Sequence, residues 1–296
     1  MRVFAAVILA VAGCSSPDAP SSTPAHTSEP TATAPAAPTQ TPAPSPTATE
    51  KPAARAAGSY LALGDSLAVG VGASRPDETG YVTRLFRALS TDGEPWASEL
   101  VRLAVSGETS TSMIRDGQLV AALDAVTNLD PPVALVTLDI GGNDLLRLLG
   151  TEECAAAPGG AACLQLLTLT LEDFETNYRQ IVSELMTALP SGVPLAVMTY
   201  FNPFSGTDAS HEAASNLALL GSDGQLDCGA DDPRARGMND VIACVGDELG
   251  AIPVDIQPAF EGLGLELTHI ASEDIHANDR GYELIADAFL AALRMT

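Results

Sequence analysis

Five short apolar runs, separated by longer stretches with helical spacing, constrain this chain more than any other feature. They are Tyr60–Leu63, Leu100–Ala104, Val133–Leu138, Val193–Tyr200 and Ala251–Ile256. Val133–Leu138 (VALVTL) is rich in β-branched residues and suits a strand buried on both faces. Between the runs, Leu171, Phe174, Tyr178, Ile181, Val182, Leu185 and Leu189 recur at helical intervals. After the fifth, Tyr282, Ile285, Ala286, Phe289, Leu290 and Leu293 share one helical face, with Asn278 or Asp279 placed to cap it. Strands alternating with helices predict an α/β fold, a three-layer sandwich with a central five-stranded parallel sheet flanked by helices. Ligands of such sheets bind beyond the carboxyl ends of the strands, so chemistry is sought there.

The alternation does not reach the N-terminus. Arg2 precedes an apolar run, Val3–Val11, and then Ala12-Gly13-Cys14. A positive start, an apolar stretch and small residues before a cut form the pattern of a secretory signal. The ending Val11-Ala12-Gly13-Cys14 resembles the bacterial lipoprotein box, which implies a lipid on Cys14. The competing reading is a fragment of buried helix or strand. Thirteen residues fall short of the roughly 15–30 usual for a signal, which leaves open a start codon upstream of Met1. From Ser15 to Gly58 the chain is mostly Pro, Thr, Ser and Ala with no hydrophobic period, so it cannot bury a core. As a polyproline-like spacer it would reach at most about 130 Å, and Thr and Ser beside Pro leave O-glycosylation open. The expected organisation is a signal over 1–13, a lipidated cysteine and linker over 14–58, and one folded domain over 59–296.

Charge narrows the partners. Fourteen Lys and Arg against 38 Asp and Glu give a net charge of −24, which excludes non-specific nucleic-acid binding. The single lysine, Lys51, leaves no polybasic patch for an anionic membrane surface. Neither G-x-G-x-x-G after a strand nor G-x-x-x-x-G-K-[ST] occurs, and no cofactor is expected. Beyond Cys14, an even set of four cysteines, Cys154, Cys163, Cys228 and Cys244, suggests two disulfides in an exported protein. Of three pairings, Cys154–Cys163 with Cys228–Cys244 closes the shortest loops. A zinc site competes, but no C-x-x-C spacing supports one, and no metal is expected.

Three strands run into polar glycine turns: Gly64-Asp65-Ser66-Leu67, Ser106-Gly107-Glu108-Thr109 and Gly141-Gly142-Asn143-Asp144. Before the last helix lies Glu273-Asp274-Ile275-His276-Ala277-Asn278. Each alone is an ordinary turn, a cap or a structural histidine. Together they supply what acyl transfer needs: a serine, an imidazole to take its proton, a carboxylate to hold the imidazole, and donors for an oxyanion. The set resembles the SGNH (GDSL) hydrolase family, with order and spacing matched over nearly all of residues 60–294. That resemblance implies a flavodoxin-like sandwich, Ser66 as nucleophile and His276 as general base. It also implies an oxyanion hole made by the N–H groups of Ser66 and Gly107 and the Asn143 side-chain amide. The family usually carries Asp three residues before the histidine. Here that position is Glu273, and Asp274 stands two before; either could orient His276, and since Glu reaches one methylene further, Glu273 is the expected partner with Asp274 as the alternative. Ala277 replaces the proline common after the histidine. His269, in an apolar context, is the rival base but reads as a satisfied core residue; His211 reads as solvated, and His26 belongs to the linker.

Residues 201–235 read as a long loop, either a lid over the strand ends or a surface segment pinned by a disulfide. One tryptophan, Trp96, and 4% aromatics offer no sugar-stacking platform. The expected function is an exported, lipid-anchored, monomeric serine esterase or lipase acting on small-molecule or lipid esters. Alternatives are acyl transfer or glycan deacetylation at the same site, or a surface lipoprotein that binds without catalysis.

Overall fold

The strands take their places according to how much water each must exclude. The computed structural model describes residues 57–91, 96–157, 159–222, 224–228 and 236–295. Strands β1 (Gly58–Gly64), β2 (Ala97–Arg102), β3 (Val133–Asp139), β4 (Leu195–Met198) and β5 (Ile252–Val254) form one sheet in the order β2-β1-β3-β4-β5. Every neighbouring pair is parallel. β1 and β4 are buried along their whole length and β3 at all but one position, which explains their unbroken apolar runs. β2, at the sheet edge, exposes Ser98 and Glu99. That polar start hides it from a hydrophobicity reading, and the observed strand begins three residues before the expected Leu100.

Two groups of helices cover the sheet. In one, helix Tyr81–Thr91 packs on helix Asp279–Arg294, with Tyr81 stacked on Phe289 at 5.2 Å and on Tyr282 at 6.5 Å between ring centroids. In the other, helix Ala161–Ala188 packs against Ser110–Arg115, Gln118–Asn128, Gly142–Leu149 and Met238–Glu248. The sandwich expected from the sequence is the observed one. Asn278 caps the last helix, accepting from the N–H groups of Arg280 and Gly281.

Two helices differ from the sequence reading. Helix Ala161–Ala188 starts ten residues before Leu171, its first turns held through Cys163. Within 201–235, read as a long loop, residues Ala209–Leu220 are helical and capped by the Asp208 carboxylate. Leu219 and Leu220 are buried there, but the apolar face is too narrow to announce a helix. Residues 223 and 229–235 of that segment lie outside the described residues, as do the expected signal over 1–13, Cys14 and nearly all of the expected linker. Disulfides join Cys154 to Cys163 and Cys228 to Cys244, the pairing with the shortest loops. This uses the four cysteines on which a zinc site would depend.

Candidate active site

In the order 2-1-3-4-5 the chain leaves β1 toward one edge and returns as β3 on its other side, so a crevice opens beyond the ends of β1 and β3. The turns after these strands carry Ser66 and Asn143. β1 ends at Gly64; Asp65 caps the short helix Ser66–Val69 by accepting from Leu67 N–H at 3.0 Å. Ser66 is thus the first residue of that helix, half-buried.

His276 arrives from a loop 210 residues later, and its Nε2 lies 2.9 Å from Ser66 Oγ. Its Nδ1 lies 2.6 Å from Asp274 Oδ1, which also accepts from the His276 N–H at 3.0 Å. Asp274 therefore forms an Asx turn over its own loop, and that turn sets its carboxylate against the ring. The expectation that Glu273 orients His276 is overturned. Glu273 is exposed and has φ +60°, at the end of the 3₁₀ turn Ile270–Ser272, and its left-handed backbone leaves the partner's place to Asp274. Partial burial opposes ionisation of Asp274, but the His276 N–H, the imidazole and its charge outweigh it and lower the pKa.

Three further donors lie at the strand ends. The N–H groups of Ser66 and Gly107 have no protein acceptor among the described residues. Gly107 has φ +82° with nothing within 4 Å of where a Cβ would sit, so conformation and not space asks for glycine. Asn143 Nδ2 donates to Glu108 O at 2.9 Å and to Asp65 Oδ2 at 3.3 Å. Asp144, next along, accepts from Ser110 N–H at 3.0 Å and Ser110 Oγ at 2.7 Å. The turns after β2 and β3 are thereby fastened together.

A second layer, which the sequence reading did not identify, lies beneath Ser66. Asp139, the last residue of β3, accepts from Ala68 N–H and Tyr81 O–H, each at 3.0 Å. Asp65 Oδ2 accepts from Tyr200 O–H at 2.7 Å. Both acids are buried and all these donors are neutral. Burial raises the pKa of both; for Asp139 the neighbouring Asp65 charge adds to it, so Asp139 keeps its proton well above the usual carboxylate range. The one sequence signal was an aspartate closing an otherwise buried strand. The remaining candidates fall elsewhere. His269 places Nε2 2.8 Å from Gly72 O, not on Ser66. His211 Nδ1 meets Asp208 at 2.8 Å.

A family model for GDSL-like lipases and acylhydrolases matches residues 62–284. No curated protein matches the chain. Among solved structures, the fold is similar to an extracellular lipase from Streptomyces rimosus, at 20% identity and TM-score 0.54, covering 80% of this chain and 100% of that one. A phospholipase A1 from Streptomyces albidoflavus gives 19% identity and TM-score 0.54 over the same shares, 80% and 100%. An acetylxylan esterase from Geobacillus stearothermophilus gives 19% and 0.52, covering 81% of this chain and 95% of that one.

Proposed function

Because the chain belongs to the GDSL-like lipase/acylhydrolase family and is a carboxylester hydrolase, we propose that it cleaves its substrate through an acyl-Ser66 intermediate. The observation that carries this reading is the line from Ser66 Oγ to His276 Nε2 at 2.9 Å and from His276 Nδ1 to Asp274 at 2.6 Å. Asp274 accepts a hydrogen bond from Nδ1–H, which keeps the proton on Nδ1 and leaves the Nε2 lone pair facing the serine. As Ser66 Oγ bonds to the ester carbonyl carbon, its proton passes to Nε2. The imidazolium then protonates the departing alcohol oxygen as the C–O bond breaks. Water, deprotonated by the same nitrogen, releases the acid and restores Ser66. The free N–H groups of Ser66 and Gly107 are the donors for the tetrahedral oxyanion. Asn143 joins them by giving up its longer bond, the one to Asp65.

The turnover of a series of p-nitrophenyl esters from acetate to palmitate tests this, with Ser66→Ala as control. Hydrolysis by the wild type and its loss in the variant are expected; no turnover, or turnover surviving Ser66→Ala, rejects the mechanism. The length series also separates short-chain esterase from lipase activity. Export and a lipid on Cys14 are part of the proposal. Two disulfides and the lipoprotein-like Val11-Ala12-Gly13-Cys14 support them. Cys14→Ser should move the protein from the membrane fraction to the soluble one, and unchanged fractionation rejects the anchor.

A further inference from the structure

Ser66 and His276 come from chain segments 210 residues apart, so their separation depends on what joins those segments. On the serine side, Gly70 N–H and Val71 N–H donate back to Ser66 O at 3.0 and 2.9 Å. The backbone at 70–72 therefore moves with the nucleophile. On the histidine side the loop has a closed neck, a bridge between Thr268 and Ala277. His269 N–H donates to His276 O at 3.0 Å, and His269 O accepts from Ser272 N–H at 2.8 Å and Asp274 N–H at 3.3 Å. The backbone of His269 thus holds both His276 and the aspartate that orients it.

Its side chain reaches across. His269 Nε2 lies 2.8 Å from Gly72 O; a carbonyl has no hydrogen to give, so Nε2 is the donor. The segments meet closely at that point, where a Cβ on Gly72 would lie 2.6 Å from Ala277 O and 2.8 Å from His276 Cβ. Other bonds cross nearby: Tyr282 O–H donates to Val71 O at 2.6 Å, and Asp279 Oδ1 accepts from Ser74 N–H at 2.8 Å. Those residues belong to the last helix or its start, whereas His269 sits in the neck of the loop that carries His276.

We propose that His269 is a positioning residue, whose Nε2–H bond to the Gly72 carbonyl sets the separation of Ser66 Oγ and His276 Nε2. The proposal rests on the esterase reading. Nucleophile and base must be held to a fraction of an ångström, and a displacement of about 1 Å can cost on the order of 100-fold in rate. Gln places an amide nitrogen where His has Nε2; Asn is one methylene too short to reach Gly72 O. The test is steady-state hydrolysis of p-nitrophenyl acetate by the full chain carrying His269→Gln, His269→Asn or His269→Ala, with thermal midpoints alongside. His269→Asn and His269→Ala should lose about tenfold or more in kcat with KM within about twofold, while His269→Gln stays within about threefold of wild type. Equal losses in Gln and Asn, a change confined to KM, or full activity in Asn or Ala overturn the proposal. If His269→Ala does not fold, the Gln and Asn pair decides. A wild type inactive on every ester would reject the esterase reading instead. The clamp is then read from amide exchange at Asp274 and His276: faster in Asn than in Gln supports it, and equal rates overturn it.

Discussion

Ser66 lies between carboxyl groups kept in opposite environments. Asp274, on the loop side, has 45% of its side chain exposed, and its bonds to His276 pull its pKa down. Asp65 and Asp139, on the sheet side, are 2% and 0% exposed and meet only neutral donors, so burial pushes theirs up. The contrast separates two uses of a carboxyl group. A carboxylate that must stabilise an imidazolium needs to stay ionised, which partial solvation and N–H donors allow. Two carboxyls packed under a helix start, with only neutral hydrogen-bond donors, favour the state in which Asp139 keeps its proton.

The largest effect should come from destroying the ionised side. Asp274→Asn keeps a side-chain oxygen for the Asx turn but removes the charge that fixes the imidazole tautomer. A fall in kcat between about 10²- and 10⁴-fold is expected on p-nitrophenyl esters. A loss under threefold would mean that the exposed carboxylate does not orient His276, and the contrast would fail.

On the buried side, Tyr200→Phe removes one donor from Asp65 and little volume. Hydrogen bonds to charged groups contribute about 1.5–3 kcal/mol, so a loss near the lower end is expected in urea unfolding at neutral pH. No change would show that Asp65 does not rely on Tyr200, and that its charge is balanced elsewhere.

The buried pair also predicts how stability depends on pH. Unfolded, Asp139 loses its proton near pH 4; folded, it retains the proton to a higher pH. The native state then binds more protons, so the contribution is complete below the unfolded pKa and is lost as pH rises toward the folded one. The slope for one proton is about 1.4 kcal/mol per pH unit. Asp274, with its pKa lowered, runs the other way: its contribution is present above the unfolded pKa and lost as pH falls. The stability advantage of wild type over Asp139→Asn should therefore shrink from pH 4 upward, read from urea midpoints at several pH values. A difference constant with pH would place the proton elsewhere.

These two sides were not equally legible in the sequence. Strands β1, β3 and β4 announced themselves because both of their faces are dry, whereas β2 starts on polar edge residues. Ser66 and Asn143 stood out because polar glycine turns after apolar strands are conspicuous, and His276 because it follows two acids just before the last helix. Asp139 closes the apolar run of β3, and nothing local says that Asp65, in the turn after β1, lies beside it. Glu273 against Asp274 was undecidable by side-chain length, since the choice rests on a backbone φ of +60° at residue 273. The helix at Ala209–Leu220 was hidden because much of its surface is polar or small and its cap, Asp208, also suits a turn.

That φ yields the smallest expected effect and the finest test of the contrast. A non-glycine residue in the left-handed region carries strain on the order of 1 kcal/mol, and the exposed Glu273 side chain makes none of the hydrogen bonds that hold the His276 ring. Glu273→Gly removes the strain, offset in part by the greater freedom of glycine in the unfolded chain. The net expectation is a gain of a few tenths of a kcal/mol, a small rise in thermal midpoint, with kcat within about twofold of wild type. If Glu273 instead shared the work of Asp274, the same substitution would lower kcat by tenfold or more and raise the midpoint no less. Stability alone cannot separate these cases, so kcat decides. Glu273→Gln, which keeps the strain and removes only the charge, should leave both quantities where they were. A drop in kcat in both Glu273 variants would show that the acid nearest the histidine in space is not the only acid that supports it.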